Sequence, residues 1–161
     1  MKNHKNVTLR ARAAAVVLGI ASAYVLAQGA AQPTPAERAI EYRQAVFKVV
    51  AGNFGPLAQN AQGKIELPAP AARKYAERLA AVADFTRDAF PEISREGKTR
   101  AKPEIWSDRA EFDKLVADLN TQSRALAAVT ARADVNPEEF KAAVGAVGNA
   151  CKSCHDKFRE K

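Results

Sequence analysis

The sequence predicts an all-α protein that folds as an antiparallel four-helix bundle, and three observations support this fold class. Four segments carry apolar residues at alternating steps of three and four, which places these residues along one face of a helix. Two of the segments open with a capping residue followed by proline, a helix-start signal. No stretch shows the period-two alternation typical of a half-buried strand. Four amphipathic helices with mostly short connections form such a bundle.

The first two helices are predicted over residues 35–54 and 71–90. The first begins at a capping box, residues 34–37, with proline in its first turn. The Gly-Pro dipeptide at 55–56 is expected to end this helix, because proline cannot donate the hydrogen bond that a helix interior requires. Pro91 is expected to end the second helix in the same way.

The last two helices are predicted over residues 104–133 and 137–160. The third has the most regular pattern of the four, and the residues of its predicted buried stripe are Phe112, Leu115, Leu119, Gln122, Leu126 and Val129. The fourth begins at Asn136, which is followed by proline and two acidic residues. A charged connection at 91–103 is long for a compact bundle, and loops of this length are often functional.

The first 27 residues are predicted to be a secretory signal peptide that is not part of the fold. Basic residues precede an apolar stretch over 13–27, and small residues follow it, so cleavage is expected after Ala27 or Ala30. A retained membrane anchor is the alternative, but the apolar stretch is shorter than the roughly 20 residues that span a bilayer. We therefore expect an exported chain in which residues 28–161 form a single domain without membrane contact.

The charge pattern argues against a nucleic-acid partner. The formal net charge is +7, and four of the basic residues lie in the predicted signal peptide: Lys2, Lys5, Arg10 and Arg12. The remaining Lys and Arg residues are interleaved with Asp and Glu, which is typical of a solvated helical surface. No basic stripe interleaved with aromatic residues is present.

A short motif near the C-terminus, Cys151-Lys152-Ser153-Cys154-His155, indicates the chemistry of the protein. C-x-x-C-H is the attachment sequence of a c-type haem, in which the two thiols bond the porphyrin and the histidine ligates the iron. A disulfide, a thioredoxin-type pair and a zinc site are alternatives. The motif lies in a long helical pattern, and the mature chain has no fourth Cys or His to complete a zinc site. The sequence predicts one covalently attached haem c per chain.

The spacing of the motif predicts where the haem lies. Residues at i, i+3 and i+4 share one face of a helix, so Cys151, Cys154 and His155 project from the core stripe of the last helix. The haem is therefore expected inside the bundle. The mature chain has no second histidine and no methionine, so the sixth coordination position of the iron is predicted to be open or weakly filled.

Several further residues are candidates with two interpretations each. Arg43 and Gln44 lie on the apolar stripe of the first helix, where Arg43 either snorkels to solvent or meets the haem propionates. Phe47 lies one turn further, where it either points over the iron or is an ordinary core residue, and the pattern alone favours the core residue. Arg159 follows His155 by four residues, and its spacing favours a cation that complements the helix dipole over a neighbour of the iron ligand.

These motifs resemble those of the cytochrome c′ family across essentially the whole mature chain. Residues 148–159 look like the family's terminal haem motif. The segment Glu41-Tyr42-Arg43-Gln44 resembles its first-helix motif, and residues 102–107 resemble the start of its third helix. The resemblance implies a periplasmic four-helix bundle with a high-spin, five-coordinate haem c, commonly a homodimer.

The resemblance also assigns roles to the candidates. It implies that Arg43 and Gln44 contact the haem on its propionate side, that Phe47 lies on the distal side and that Arg159 belongs to the proximal pocket. It places Thr99 in a loop near the haem edge. Low-spin relatives have a methionine on the first helix as the sixth ligand, which this chain lacks.

The sequence thus predicts a gas-binding protein, with nitric oxide as the main ligand, carbon monoxide as another, and scavenging or detoxification as the role. An apolar distal wall offers no hydrogen bond to a polar or anionic ligand, which favours NO and CO. Electron transfer to a periplasmic redox partner is the alternative. An enzyme such as a peroxidase is not expected, because the first helix supplies no distal histidine as acid or base.

Overall fold

The computed structural model describes residues 32–161, which form four long helices, one short helix and a single 3₁₀ turn. In chain order they are α1 (Pro35–Ala61), α2 (Ala69–Asp84), the 3₁₀ turn (Glu92–Ser94), α3 (Glu104–Ser107), α4 (Arg109–Ala131) and α5 (Pro137–Phe158). α4 packs against both α2 and α5, and α1 packs against the same two helices. The predicted all-α four-helix bundle is therefore confirmed.

The predicted signal peptide lies outside the described residues. Residues 34–161 form one compact unit. Among the helices of residues 32–161, none has the combination of length and hydrophobicity that a bilayer crossing requires.

α1 is longer than the sequence suggests. Its predicted capping box is present, with Glu37 N donating to Thr34 Oγ1 at 3.2 Å and Thr34 N donating to Glu37 Oε2 at 2.8 Å. The predicted end at residue 54 is wrong, because the helix continues through Pro56 to Ala61. Leu57 is fully buried and extends the apolar stripe by another turn, so its packing outweighs the hydrogen bond that proline cannot make.

α2 ends at Asp84, so the predicted end at residue 90 is also wrong. The carbonyl of Ala83 accepts hydrogen bonds from Thr86 N at 3.1 Å, Thr86 Oγ1 at 2.6 Å and Asn120 Nδ2 at 3.2 Å. These donors take the place of the backbone N–H that the next helical turn would supply. The helix therefore stops, and turns carry the chain to Phe90.

The predicted third helix is divided into two. α3 ends at Ser107, and Asp108 has non-helical angles of φ −116° and ψ 52° before α4 begins. The break lets Ile105 become buried with an exposed fraction of 1%. α5 ends at Phe158 instead of residue 160, because Lys102 N donates to Phe158 O at 3.0 Å and the following residues turn into an extended pairing with the loop.

The buried side chains form two clusters of different character. The aliphatic cluster consists of Val50, Leu57, Ala72, Ala76, Leu79, Ala83, Leu119, Leu126, Val144, Val147 and Ala150. The aromatic cluster consists of Ala89, Phe90, Ile105, Phe112, Val116 and Phe158, with Phe47, Ala101, Trp106, Leu115 and Cys154 packed against it.

Candidate haem site

A cavity of about 610 Å³ lies beside the aromatic cluster, between α1, α4, α5 and the loop that precedes α3. This volume falls within the range of about 300–1,000 Å³ typical of ligand and cofactor sites. All of the site residues predicted from the sequence line this one cavity: Arg43, Gln44, Phe47, Thr99, Cys151, Cys154, His155 and Arg159.

The two cysteines lie on the cavity-facing side of α5 as free, partly buried thiols. Burial raises the pKa of Cys151. Burial and the neighbouring Cys151 together raise the pKa of Cys154 to about 11. Both groups are therefore neutral thiols near pH 7, set one helical turn apart on the cavity wall.

His155 completes the motif at the end of the same face. Burial lowers its pKa, and the charges of Arg159 and Arg100 lower it further, while Asp156 acts in the opposite direction. The imidazole is therefore neutral near pH 7, which is the form that binds a metal. Nη1 of Arg159 lies 3.3 Å from Nε2 of His155. The structure thus places Arg159 next to the predicted iron ligand. Arg159 lies just beyond the helix and has an extended backbone conformation.

Arg43 lies inside the protein, with an exposed fraction of 4%. The snorkelling interpretation is therefore wrong. Its guanidinium packs over the ring of Phe90, 4.9 Å from the centroid. Burial lowers its pKa, yet arginine stays charged in proteins. In the described part of the chain, this buried cation forms no ion pair with a carboxylate.

Gln44 and Thr99 both contribute to the contact between α1 and the loop. Gln44 is exposed, and its Nε2 donates to Lys98 O at 3.2 Å. Thr99 Oγ1 accepts a hydrogen bond from Nη2 of Arg43 at 2.8 Å. Ser94 is a further residue of this contact that sequence reasoning missed, since a serine in a charged loop shows no pattern that marks it as buried.

Phe47 forms part of the cavity wall. Its side chain is only partly buried, and its ring packs edge-to-face on Phe90 with centroids 5.9 Å apart. Phe90 in turn packs on Phe112 at 4.7 Å. Three aromatic rings therefore form an apolar wall on the α1 and α4 sides of the cavity.

The lining residues fit a haem. Three cations line the cavity, Arg43, Arg100 and Arg159, and none of its described lining residues is Asp or Glu. A buried cation without a carboxylate partner is costly, so the site is complementary to a group that brings carboxylates of its own. Haem combines an apolar macrocycle with two such carboxylates, and α5 offers two thiols and an imidazole at the spacing that attaches it.

Comparisons with known proteins agree with this assignment. The family model for Cytochrome C′ matches residues 38–159. Cytochrome c′ of Rubrivivax gelatinosus is 39% identical over 124 residues, which cover 76% of this chain and 95% of that protein. The solved structure of cytochrome c prime from Shewanella frigidimarina superposes with a TM-score of 0.75 at 32% identity, covering 81% of this chain and 100% of that one.

A nitric oxide complex of a cytochrome c prime variant from Alcaligenes xylosoxidans superposes with a TM-score of 0.72 at 29% identity, covering 81% of this chain and 100% of that one. The family's cofactor is haem c, and the Cys151 and Cys154 pair fits its covalent attachment. Motif, cavity and relatives agree over nearly all of the described chain, and the protein belongs to the cytochrome c′ family.

Proposed function

We propose that this protein binds small diatomic gases at a five-coordinate, high-spin haem, with nitric oxide as its main ligand, and that it scavenges or detoxifies this gas. The observation that supports this function is the aromatic wall of the cavity, to which Phe47 contributes. The mature sequence has neither a methionine nor a second histidine to fill the sixth position. When bound, the haem supplies an iron that coordinates the gas.

The residues of α5 hold the cofactor in this proposal. Cys151 and Cys154 would form the two thioether bonds, and the neutral imidazole of His155 would ligate the iron. Arg159 lies beside that imidazole in the proximal pocket, where its charge opposes protonation of His155. This disfavours the imidazolium, which cannot bind iron.

The residues of α1 lie on the side of the haem opposite His155 in this proposal. Phe47 is the distal residue in this proposal, and its ring offers no hydrogen bond to a polar or anionic ligand. We infer that Arg43 and Gln44 face the propionates, with Thr99 on the adjoining loop, and all three residues line the cavity. The solved nitric oxide complex of the Alcaligenes xylosoxidans relative supports gas binding on this framework.

Optical and electron paramagnetic resonance spectra of the ferric and ferrous holoprotein test the function. We expect high-spin spectra in both states, and uptake of NO and CO by the ferrous protein. Imidazole and azide should bind poorly, because each must displace the Phe47 ring without gaining a hydrogen bond from it. A low-spin spectrum without added ligand, or a ferrous protein that does not take up NO, would contradict the proposal.

Electron transfer to a redox partner is the second candidate function, and one observation favours it. His155 lines not only the inner cavity but also a second pocket that opens to solvent, together with Lys102 and Arg159. One edge of the His155 imidazole, the proposed iron ligand, thus lies at the surface, where a redox partner can exchange electrons with the haem. Rapid oxidation and reduction of the haem by a periplasmic protein, with slow and weak NO binding, would favour this function over the first. In neither case do we expect enzymatic turnover.

We also propose that the protein is exported to the periplasm. The support is the predicted signal peptide together with membership of a family of c-type cytochromes. Mass spectrometry of the mature protein should find an N-terminus at Gln28 or Ala31. An intact N-terminus in a haem-loaded protein would contradict this expectation.

We further propose that two copies associate. Tyr42 and Val49 are large apolar residues on α1 that are about half exposed, at 45% and 50%, which supports a contact with a second chain. Light scattering should give the mass of a dimer, and Val49→Glu should yield a monomer. Ile65→Glu, at an exposed apolar position after α1, is the control and should leave the mass unchanged.

A further inference from the structure

Arg43 is the centre of a hydrogen-bond network that ties α1 to the loop before α3. Its Nη1 donates to Ser94 Oγ at 2.6 Å and to Ala89 O at 3.4 Å. Its Nη2 donates to Ser94 O at 3.2 Å and to Thr99 Oγ1 at 2.8 Å. The four N–H groups on the terminal nitrogens are therefore all directed at the loop, and only Nε–H remains.

This network changes what Arg43 can do. A guanidinium whose terminal N–H groups are engaged cannot offer two parallel N–H bonds to a carboxylate, so a two-bond contact with a haem propionate is not available while the network is intact. The acceptors are neutral, and they leave the positive charge uncompensated. Arg43 is thus a fixed buried charge at the cavity wall, and the loop determines its position.

Ser94 and Thr99 are built into this arrangement by further bonds. Ser94 is fully buried, and its hydroxyl donates to Pro91 O at 2.7 Å, which turns its lone pairs toward Arg43. Thr99 Oγ1 accepts a second hydrogen bond, from Ala101 N at 3.1 Å. Ala101 in turn pairs with Arg159, the neighbour of His155.

We propose that Ser94 and Thr99 are positioning residues that hold the charge of Arg43 against the haem and thereby raise the reduction potential of the haem. The inference rests on the proposed function, in which Arg43 faces the haem propionates. A fixed positive charge in a poorly solvated site favours the reduced cofactor, which has one positive charge fewer. If the hydroxyl acceptors are lost, the guanidinium is released toward water, and the reduction potential falls.

The test compares Thr99→Val, which removes the hydroxyl at nearly constant volume, with Thr99→Ser, which keeps it. Redox titration of the holoproteins should give a lower potential for Thr99→Val and a value close to that of the natural protein for Thr99→Ser. Thr121→Val is the matched control, because the hydroxyl of Thr121 is exposed and donates only to Ala117 O within its own helix. It should leave the potential unchanged.

A double-mutant cycle shows whether Thr99 acts through Arg43. In an Arg43→Ala background, Thr99→Val should have no further effect on the potential. If Arg43→Ala does not load haem, Arg43→Gln serves as the second background, since it removes the charge and keeps a long side chain. Hydrogen exchange should show faster exchange of residues 92–102 in Thr99→Val, but not in Thr99→Ser.

Three outcomes would overturn the inference. An equal shift in both backgrounds would mean that Thr99 contacts the haem directly. A lower melting temperature with an unchanged potential would mean that the hydroxyl only fastens the loop. If Arg43→Ala and Arg43→Gln themselves left the potential unchanged, Arg43 would not face the propionates. Gas binding is measured separately, so its failure is distinguishable from each of these results.

Discussion

The two core clusters differ in how their side chains are held in place. The aliphatic cluster contains Ala, Val and Leu residues from α1, α2, α4 and α5, and it fills the space between these helices with its own side chains. The aromatic cluster includes residues outside the long helices, such as Phe90 and Ile105, and it borders the 610 Å³ cavity. Three of the eleven aliphatic residues line the cavity (Val50, Leu119 and Ala150), whereas five of the six aromatic-cluster residues do. The aliphatic cluster is thus packed mainly by the chain itself, and the aromatic cluster borders the space where we propose that the haem lies.

This difference implies that the two clusters contribute separately to the stability of the bundle. Close packing should persist without the cofactor in the part of the aliphatic cluster that does not line the cavity, because the contacts there are made between helices alone. We expect the packing of the aromatic cluster to depend on the haem and on the loop that is hydrogen-bonded to Arg43. We therefore expect changes near the cavity to affect haem properties and stability together, and changes in the part of the aliphatic cluster away from the cavity to affect stability alone.

The largest effect is expected from loss of the covalent attachment. In Cys151→Ser with Cys154→Ser, acid–acetone should extract the haem, whereas the natural protein should keep its colour. An empty cavity removes packing from the aromatic cluster, so the free energy of unfolding should fall by more than about 4 kcal/mol. Thermal unfolding measures this loss.

The same variant also tests the division between the clusters. Hydrogen exchange should become fast in α3 and the loop before it, while the helix segments around the aliphatic cluster stay protected. Ser153→Ala is the control, because Ser153 lies between the two cysteines and is exposed. Uniform loss of protection in both regions would show that the clusters unfold as one unit.

Phe47→Ala is expected to have the next largest effect. Removing the ring should open the cavity, so CO association should become faster and bulkier ligands should gain access. Because Phe47 is only partly buried, its loss should cost about 3 kcal/mol, the lower end of the range for Phe→Ala. Flash photolysis measures the association rate.

Leu79→Ala is the matched change in the aliphatic cluster. Leu79 is fully buried and does not line the cavity, so its loss should also cost about 3 kcal/mol without changing CO association. If Phe47→Ala destabilises the protein and leaves CO association unchanged, Phe47 is a packing residue only, and its proposed distal role is wrong.

The loop before α3 offers a smaller and more local perturbation. Gly97 has a φ of +125°, and a Cβ added there would lie 2.9 Å from Cδ1 of Ile40 on α1. Gly97→Ala should therefore cost about 2 kcal/mol in backbone strain and displace the loop that holds Arg43. Redox titration should detect a shift of the haem potential as well.

Gly63→Ala separates backbone strain from loop displacement. Gly63 also has a positive φ, of +70°, but an added Cβ would meet no atom within 4 Å. Its substitution should cost about 1–2 kcal/mol and leave the haem potential unchanged. Equal shifts of the potential in both variants would argue against a specific role of the loop.

The haem-motif face of α5 and the loop before α3 also differ in how far the sequence predicted them. The face of α5 with Cys151, Cys154 and His155 was predicted correctly, because residues close in sequence on one helix have fixed relative positions. The partners of Arg43 were not predicted, since Ser94 is 51 residues away and only tertiary packing brings the two together. Local patterns therefore locate the attachment motif, and they do not locate the contacts of a loop.

The helix ends show the same limit. Thr34 and Asn136 were correctly predicted as caps, because each accepts a hydrogen bond from a residue at most three positions away. The continuation of α1 through Pro56 depends on the burial of Leu57 against other helices. The break at Asp108 likewise depends on the burial of Ile105, and no local pattern signals either one.

The smallest effect is expected at the two caps, which begin the helix that contains Arg43 and the helix that contains the haem motif. Thr34→Ala and Asn136→Ala should each cost about 1 kcal/mol. They should differ in pH dependence, because hydrogen bonds from the backbone and the side chain of Thr34 lower the pKa of the Glu37 carboxyl group, and Thr34→Ala removes the side-chain contribution while it keeps the backbone N–H. That stabilisation is present above the ordinary pKa of the carboxyl group and is lost as the pH falls through the lowered value.

Urea unfolding from pH 7 to pH 3 should therefore show that the Thr34→Ala deficit in the free energy of unfolding shrinks in acid. The Asn136→Ala deficit arises from loss of a bond donated by Glu138 N and should stay constant. A Thr34→Ala deficit that is the same at both pH values would mean that the Thr34 side chain does not stabilise the Glu37 carboxylate.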